Sequence, residues 1–154
     1  MMKWVFRSAA GLLGLYFAIA VFERVIPKSW RTAWQRFANP KSMALWGLVP
    51  GWAVIETAGR RTGLPRQTPV GGRRRGGDAF WLICGERHNA HYVKNIEANP
   101  DVRVKVCGRW HRGTAHLLED EDPKRLGWRL NPLNMLFITI AAPDHAAIRI
   151  DLED

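Results

Sequence analysis

From Trp52 to Asp154 the chain is written in short apolar or alternating runs separated by glycine-bearing turns, and this restricts the fold more than any other feature. WAVIETA (52–58) is a short β run, and Gly59-Arg60-Arg61-Thr62-Gly63 is a turn. RQTPVGGR (66–73) is a second strand whose Pro69 marks it as irregular or at an edge, because proline cannot donate to a ladder. Gly76-Gly77-Asp78 turns the chain into AFWLIC (79–84), an apolar third strand. Residues 102–107 (VRVKVC) alternate strictly, as a strand with one wet face does, and RWHRGTAHLL (109–118) follows across a Gly108 turn. AAIRIDLE (146–153) alternates again as a closing strand. Two helices interrupt the series: Asn89 to Asn99, stopped by Pro100, and Asp120 to Leu130, acidic at its start and basic later as the helix dipole favours. Hairpins with one or two helices predict an α+β, mainly β architecture, a small antiparallel barrel rather than a doubly wound sheet.

The first 26 residues differ from this pattern. Ser8 to Phe22 carries no charge, and its fifteen residues make a helix of about 22 Å, short of the roughly 30 Å hydrocarbon core. Extending it from Trp4 to Ile26 reaches the needed length, with Arg7, Glu23 and Arg24 near the ends. Ala10, Gly14 and Ala18 form a stripe of small residues. Three readings stay open: a membrane anchor or interfacial helix, a cleaved signal peptide ending near Ala18-Ile19-Ala20, and a core helix of a soluble domain. The anchor reading is preferred. Arg24, Lys28, Arg31, Arg36 and Lys41 follow the apolar run and outnumber the cations before it, which puts the C-terminal domain on the cytoplasmic side of the cell membrane. The expected organisation is therefore 1–26 as anchor or interfacial helix, 27–51 as a basic connector rich in Pro and Trp, and 52–154 as the barrel. Within the connector, Lys28, Arg31, Trp34 and Phe37 suggest a short basic-aromatic helix.

Charge narrows the partner. Lys and Arg number 23 against 14 Asp and Glu, and a net charge of +9 calls for a polyanion: nucleic acid, anionic lipid, or a ligand bearing phosphate and carboxylate. Arg73-Arg74-Arg75 would serve nucleic acid, but no recognition motif accompanies it, so no nucleic-acid partner is expected. Cys84 and Cys107 lie in apolar stretches and read as buried thiols, and no Cys/His spacing suits a metal.

Two segments bear chemistry. In GRRTGLPR (59–66), glycines at both ends permit a tight turn, and Arg60, Arg61 and Arg66 offer guanidinium forks for phosphate or carboxylate, with the Thr62 hydroxyl beside them. A solvated basic hairpin turn is the alternative. In HNAHYVKNIEANPDVRVKV (88–106), Tyr92, Asn95 and Asn99 share one helix face and Lys94 lies elsewhere; a capped amphipathic helix with no ligand would look the same.

In this order and spacing the two segments resemble the deazaflavin-dependent nitroreductase family. The GR(K/R)(S/T)GxPR turn, the following Pro69, the Tyr92-Val93-Lys94-Asn95 and Ala98-Asn99-Pro100 helix, and the strands VRVKV, GRWHRGTAHLL and IRIDLE carry the likeness over roughly residues 50–154. The resemblance implies a split β-barrel of the flavin-reductase, FMN-binding-like type and coenzyme F420, a deazaflavin, as cofactor, with FMN as the alternative. It implies that Arg60, Arg61, Thr62, Gly63, Arg66 and Pro69 hold the cofactor's phosphate and polyglutamate tail. It further implies that Cys84, Gly85, Tyr92 and Asn95 border the ring. The expected activity is hydride transfer from the reduced cofactor to a small acceptor. The apolar N-terminus suggests a lipophilic one, such as a quinone or an unsaturated lipid. Tyr92, His88 and His91 are the candidate proton donors, with Tyr92 preferred. Related barrels often dimerise, so a homodimer is expected. The family's Trp-Tyr pair is replaced by Tyr92-Val93 and its loop before the helix by GERHNAH. With only Tyr16 and Tyr92 present, the tyrosines that serve nitro-reducing members lack counterparts. The rival class is a non-catalytic, membrane-associated barrel that binds a fatty acid or other lipid.

Overall fold

A computed structural model describes residues 2–27, 29, 30, 33, 43, 46–87, 89–142 and 144–153. Six antiparallel strands close into a barrel in the order β1-β2-β3-β6-β5-β4. They are β1 (Trp52–Ala58), β2 (Pro65–Arg75), β3 (Ala79–Cys84), β4 (Asp101–Val106), β5 (Arg109–Leu118) and β6 (Ala146–Glu153). Helices whose full spans fall among the described residues accompany them: α1 (Met2–Val25), α2 (His91–Ala98), α3 (Pro123–Leu130) and α4 (Pro132–Ala141).

The period-two pattern decides which residues fill the barrel. Ala53 and Ile55 of β1, Phe80 and Leu82 of β3, Val102 and Val104 of β4, and Ile148 and Ile150 of β6 all point inward into one buried cluster, joined by Val93 and Ile96 of α2. Each large apolar side chain so buried contributes about 1.5–3 kcal/mol. A second cluster lies outside the barrel wall, where Ile83 and Ala147 meet Leu126 and Leu130 of α3 and Met135 of α4.

β2 serves two neighbours in turn. Pro65 to Gly71 pair with β1, and Gly72 to Arg75 pair with β3. A Cβ on Gly72 would lie 2.5 Å from the Trp81 carbonyl oxygen, so only glycine lets the strand pass from one partner to the other. Pro69 sits in the first half, opposite Val54, ahead of the residues that pair with β3. Its missing N–H therefore costs no ladder bond, in line with its expected edge position.

Four sequence expectations need correction. First, among the described residues no helix is long and apolar enough to cross a membrane. The uncharged stretch of α1 is too short, and extending it takes in the charges of Glu23 and Arg24 in the helix's last turn. The inference of a cytoplasmic-facing domain rested on a spanning segment and loses that premise. The helix packs instead along α4: the Tyr16 hydroxyl donates to the Leu133 carbonyl (3.2 Å), the Tyr16 ring lies 4.9 Å from Phe137, and Arg24 Nη1 donates to the Ile140 carbonyl (3.0 Å). These contacts, taken in order, make the two helices parallel. Second, α4 was not foreseen. Third, Cys107 is exposed, because β4 ends at Val106 and Cys107-Gly108 form the hairpin turn with φ of 48° and 83°. Fourth, both internal helices are shorter than expected. The Asp122 carboxylate caps α3 by accepting from the N–H groups of Lys124 (2.9 Å) and Arg125 (3.3 Å). Asn99 ends α2 as its C-cap, so it leaves the face shared by Tyr92 and Asn95 and accepts from the Asp101 N–H (3.0 Å). Lys28, Arg31, Trp34 and Phe37, the connector's basic-aromatic segment, lie outside the described residues.

Candidate functional site

The basic turn closes on itself before it meets anything else. The N–H groups of Thr62 (3.0 Å) and Gly63 (2.7 Å) donate to the Gly59 carbonyl, and the Gly59 N–H donates to the Leu64 carbonyl (2.9 Å). Gly63 has a φ of 66°, the left-handed conformation that favours glycine. The Leu64 N–H donates to Thr62 Oγ1 (3.4 Å), so that hydroxyl has a structural partner. Arg60, Arg61, Thr62, Gly63 and Arg66 are all exposed. Ladder register places Arg66 opposite Thr57 of β1. Pro69, three residues on, faces the other side of the sheet and stands apart from this group.

Helix α2 links the turn to the opposite end of β3. At its C-terminal half Asn95, buried, accepts from the Arg60 N–H (3.2 Å) and Nη1 (3.4 Å), and its Nδ2 donates to Thr57 Oγ1 (3.0 Å). One turn earlier, Tyr92 packs its ring against the barrel core and its hydroxyl meets the sulfur of Cys84. That sulfur also accepts from the Glu86 N–H (3.5 Å). Burial pushes the Cys84 thiol up, while the hydrogen bonds from Tyr92 and Glu86 pull the other way. Burial, with the adjacent sulfur, holds the Tyr92 phenol well above its usual range. It is a neutral phenol beside a neutral thiol.

Gly85 follows Cys84 and is backed by α4: a Cβ there would lie 3.1 Å from Cβ of Ile138. Cys84 pairs with Ala146 and Glu86 bridges Asp144, so His145 lies at the same end of the β3–β6 ladder as Gly85. His145 is buried, bonded to the Ile138 carbonyl, and its Nε2 has no hydrogen-bond partner. Burial and the nearby Lys124 charge lower its pKa, against the opposing effects of that carbonyl and Asp144. Sequence reasoning missed this residue, since its surroundings depend on α4. His91 is exposed at the start of α2, and His88 lies outside the described residues.

An open groove of about 470 Å³ runs beside the turn. Its carboxylates, Glu56, Asp101 and Glu153, outnumber its arginines, Arg103 and Arg112, and Glu56 already pairs with Arg103 (3.1 Å). A polyanion fits the Arg60–Arg66 side better. Among the described residues, no group of three or more His, Cys, Asp or Glu is arranged to hold a metal ion.

The fold and this site define a split β-barrel of the kind used by flavin- and deazaflavin-dependent oxidoreductases. An F420-H2 dependent reductase is similar in fold at 19% identity, covering 68% of this chain and 97% of its own, with a TM-score of 0.53. A putative pyridoxamine 5'-phosphate oxidase from Listeria innocua is similar at 20% identity over 68% of this chain and 85% of its own, with a TM-score of 0.52. A domain-swapped dimer matches at 18% identity over 82% of this chain and the whole of its own, with a TM-score of 0.54. No curated protein sequence matches the chain. The model of the F420H(2)-dependent quinone reductase family matches residues 30–136, and the chain belongs to that family. It is thus an oxidoreductase, and coenzyme F420 is its cofactor. The donor chemistry fits: a closed basic turn with exposed guanidinium groups suits an anionic tail, and an edge of buried Cys84 with half-buried Gly85 and Tyr92 suits a flat ring.

Proposed function

We propose that the chain binds coenzyme F420 with its anionic tail on Arg60, Arg61 and Arg66 and its ring toward Cys84, Gly85 and Tyr92, and reduces a lipophilic quinone. The carrying observation is that α2 joins the two groups, with Asn95 on Arg60 and Tyr92 on Cys84 one helical turn apart. When bound in reduced form, the cofactor supplies the hydride, which is its own chemistry. The protein's share is binding, orientation and exclusion of water. The arginines supply charge at one end. At the other end, Tyr92 and the residues around Gly85 form an apolar wall that fixes the plane of the ring. Gly85 keeps the edge of that wall low, and α4 closes it from behind.

Support for a lipophilic acceptor comes from α1. Leu15, Val21, Phe22 and Val25 are exposed on the side turned away from α4, with Trp30 beyond them. We assign this surface to the bilayer interface, where a quinone is drawn from the lipid phase. Replacing Phe22 and Val25 by Glu should abolish co-sedimentation with anionic vesicles while leaving a water-soluble quinone turned over normally. Likeness to the domain-swapped neighbour supports a homodimer, testable by sedimentation velocity.

The deciding experiment is a fluorescence titration of the full chain with oxidised F420, with FMN in parallel. The expected result is tight deazaflavin binding that weakens when Arg60 or Arg66 is replaced by Ala. Binding of FMN alone would refute the cofactor placement on these arginines. Undiminished F420 binding in both arginine variants would equally refute that placement.

A further inference from the structure

We propose that Asn95 is a positioning residue that touches no ligand: it aims the Arg60 guanidinium at an anionic phosphodiester and sets the whole basic turn against the barrel. The proposal rests on the cofactor placement above.

The hydrogen-bond capacity of Asn95 is nearly filled by protein. An amide side chain offers two acceptor lone pairs and two N–H donors. The oxygen takes both the Arg60 backbone N–H (3.2 Å) and Nη1 (3.4 Å), and Nδ2 reaches Thr57 Oγ1 (3.0 Å). Asn95 is 4% exposed and Thr57 1% exposed, so neither has a face left for a cofactor. The contact with Arg60 also does something that a ring-bordering role would not require. It grips one residue at two points, backbone and side chain, and ties both to β1 through Thr57. The turn's internal bonds, three with Gly59 and one from the Leu64 N–H to Thr62, shape it but do not orient it relative to the sheet. Asn95 supplies that orientation.

Neutrality matters here. Because the partner is an amide, the guanidinium keeps its full positive charge while losing rotamer freedom before a ligand arrives. An aspartate at this position would hold the same geometry, since the Thr57 hydroxyl can reverse and donate. It would, however, cancel the charge of Arg60. Arg66, opposite Thr57 in register, is left as the second cation at the same end of the barrel. A phosphodiester would therefore meet one guanidinium held by Asn95 and one carried by β2.

The test compares two ligands on the full chain: oxidised F420, and the deazaflavin riboside that lacks phosphate and tail. Asn95→Asp should weaken F420 binding by roughly tenfold to a hundredfold, as loss of a charge-assisted contact does, and leave riboside binding within about twofold. In an Arg60→Ala background, Asn95→Leu, which brings no charge of its own, should have no further effect. Equal weakening for both ligands, no weakening at all, or a full effect persisting without Arg60 would each overturn the proposal. Should Asn95→Asp not fold, Thr57→Val applies the same comparison by leaving Nδ2 without its acceptor. A separate readout needs no cofactor: hydrogen exchange at the Arg60 amide should be fast in Asn95→Leu and slow in the wild type. If the wild type binds neither deazaflavin, the cofactor placement fails, and unchanged exchange at Arg60 would then also sink the role of Asn95.

Discussion

Tyr92→Phe separates two roles that one phenol could play. If the hydroxyl gave a proton to the acceptor during turnover, its loss would slow the chemical step by about 10²- to 10⁴-fold, the usual contribution of a positioned acid. The structure argues for a smaller effect. The hydroxyl meets the Cys84 sulfur, and its pKa is held well above the ordinary phenol range, first by burial and then by that sulfur. A proton held so firmly is a poor one to donate near neutral pH. Phenylalanine fills the same ring volume, so no cavity opens in the cluster that Tyr92 packs against. The Cys84 sulfur keeps the Glu86 N–H as a donor (3.5 Å). What is lost is one hydrogen bond, worth about 0.5–1.5 kcal/mol. For a chain of this size that corresponds to roughly 1–6 °C in Tm. Stopped-flow oxidation of the F420H2-loaded protein by a water-soluble quinone, with calorimetry of both proteins, reads the two quantities together. The expected outcome is a rate within about threefold of wild type and a small drop in Tm. A hundredfold slower hydride step at unchanged Tm would refute this reasoning and make Tyr92 the proton donor.

Three further outcomes follow from the same structure. Arg60→Ala and Arg66→Ala should each weaken F420 binding, and wild-type affinity should fall steeply between 50 and about 500 mM salt while that for the phosphate-free riboside does not. His145 has a folded pKa below the ordinary imidazole value near 6.5, so the unfolded chain takes the proton first; its contribution is complete above about pH 6.5 and is lost as the pH falls below that value. Thermal melts from pH 8 to 5 should therefore show a smaller acid-side decline in His145→Gln than in wild type, and identical declines would dismiss the effect. Gly113→Ala should destabilise by about 1–3 kcal/mol or prevent folding, because an added Cβ collides with the backbone carbonyl of Asp151 on the paired strand, and an unchanged denaturation midpoint would contradict that contact.

Strands were legible where the chain punctuates itself. β1, β3, β5 and β6 run as the patterns WAVIETA, AFWLIC, RWHRGTAHLL and AAIRIDLE indicate, since Gly63, Gly76, Gly77 and Gly108 adopt positive φ in the turns between them. Helix α4 was not legible. Its sequence PLNMLFITIA is apolar nearly throughout and includes three β-branched residues, so periodicity cannot distinguish it from a buried strand. Its local marks are Pro132 at the first turn and the Asn131 side chain, which accepts from the Asn134 N–H (3.1 Å). The basic turn could be read from its own residues, but the work of Asn95 could not. Spacing pairs it with Tyr92 on one helix face, whereas its anchor, Thr57, is 38 residues away and becomes a neighbour only when α2 lies across the end of β1. His145 was hidden for a similar reason, because the carbonyl that holds it belongs to α4.

The packing of α1 along α4 has a consequence for how the protein is made. Tyr16 and the carbonyl it bonds are 117 residues apart. At roughly 5–20 residues per second, the ribosome releases α1 about 6–23 s before its docking partner exists. Throughout that interval both sides of an apolar helix are uncovered, the one later taken by α4 and the one bearing Leu15, Phe22 and Val25. A nascent chain in that state is a substrate for whatever binds apolar helices at the tunnel exit, whether a chaperone or a nearby bilayer. The order of synthesis thus leaves α1 uncovered until the last third of the chain has emerged and the barrel has closed.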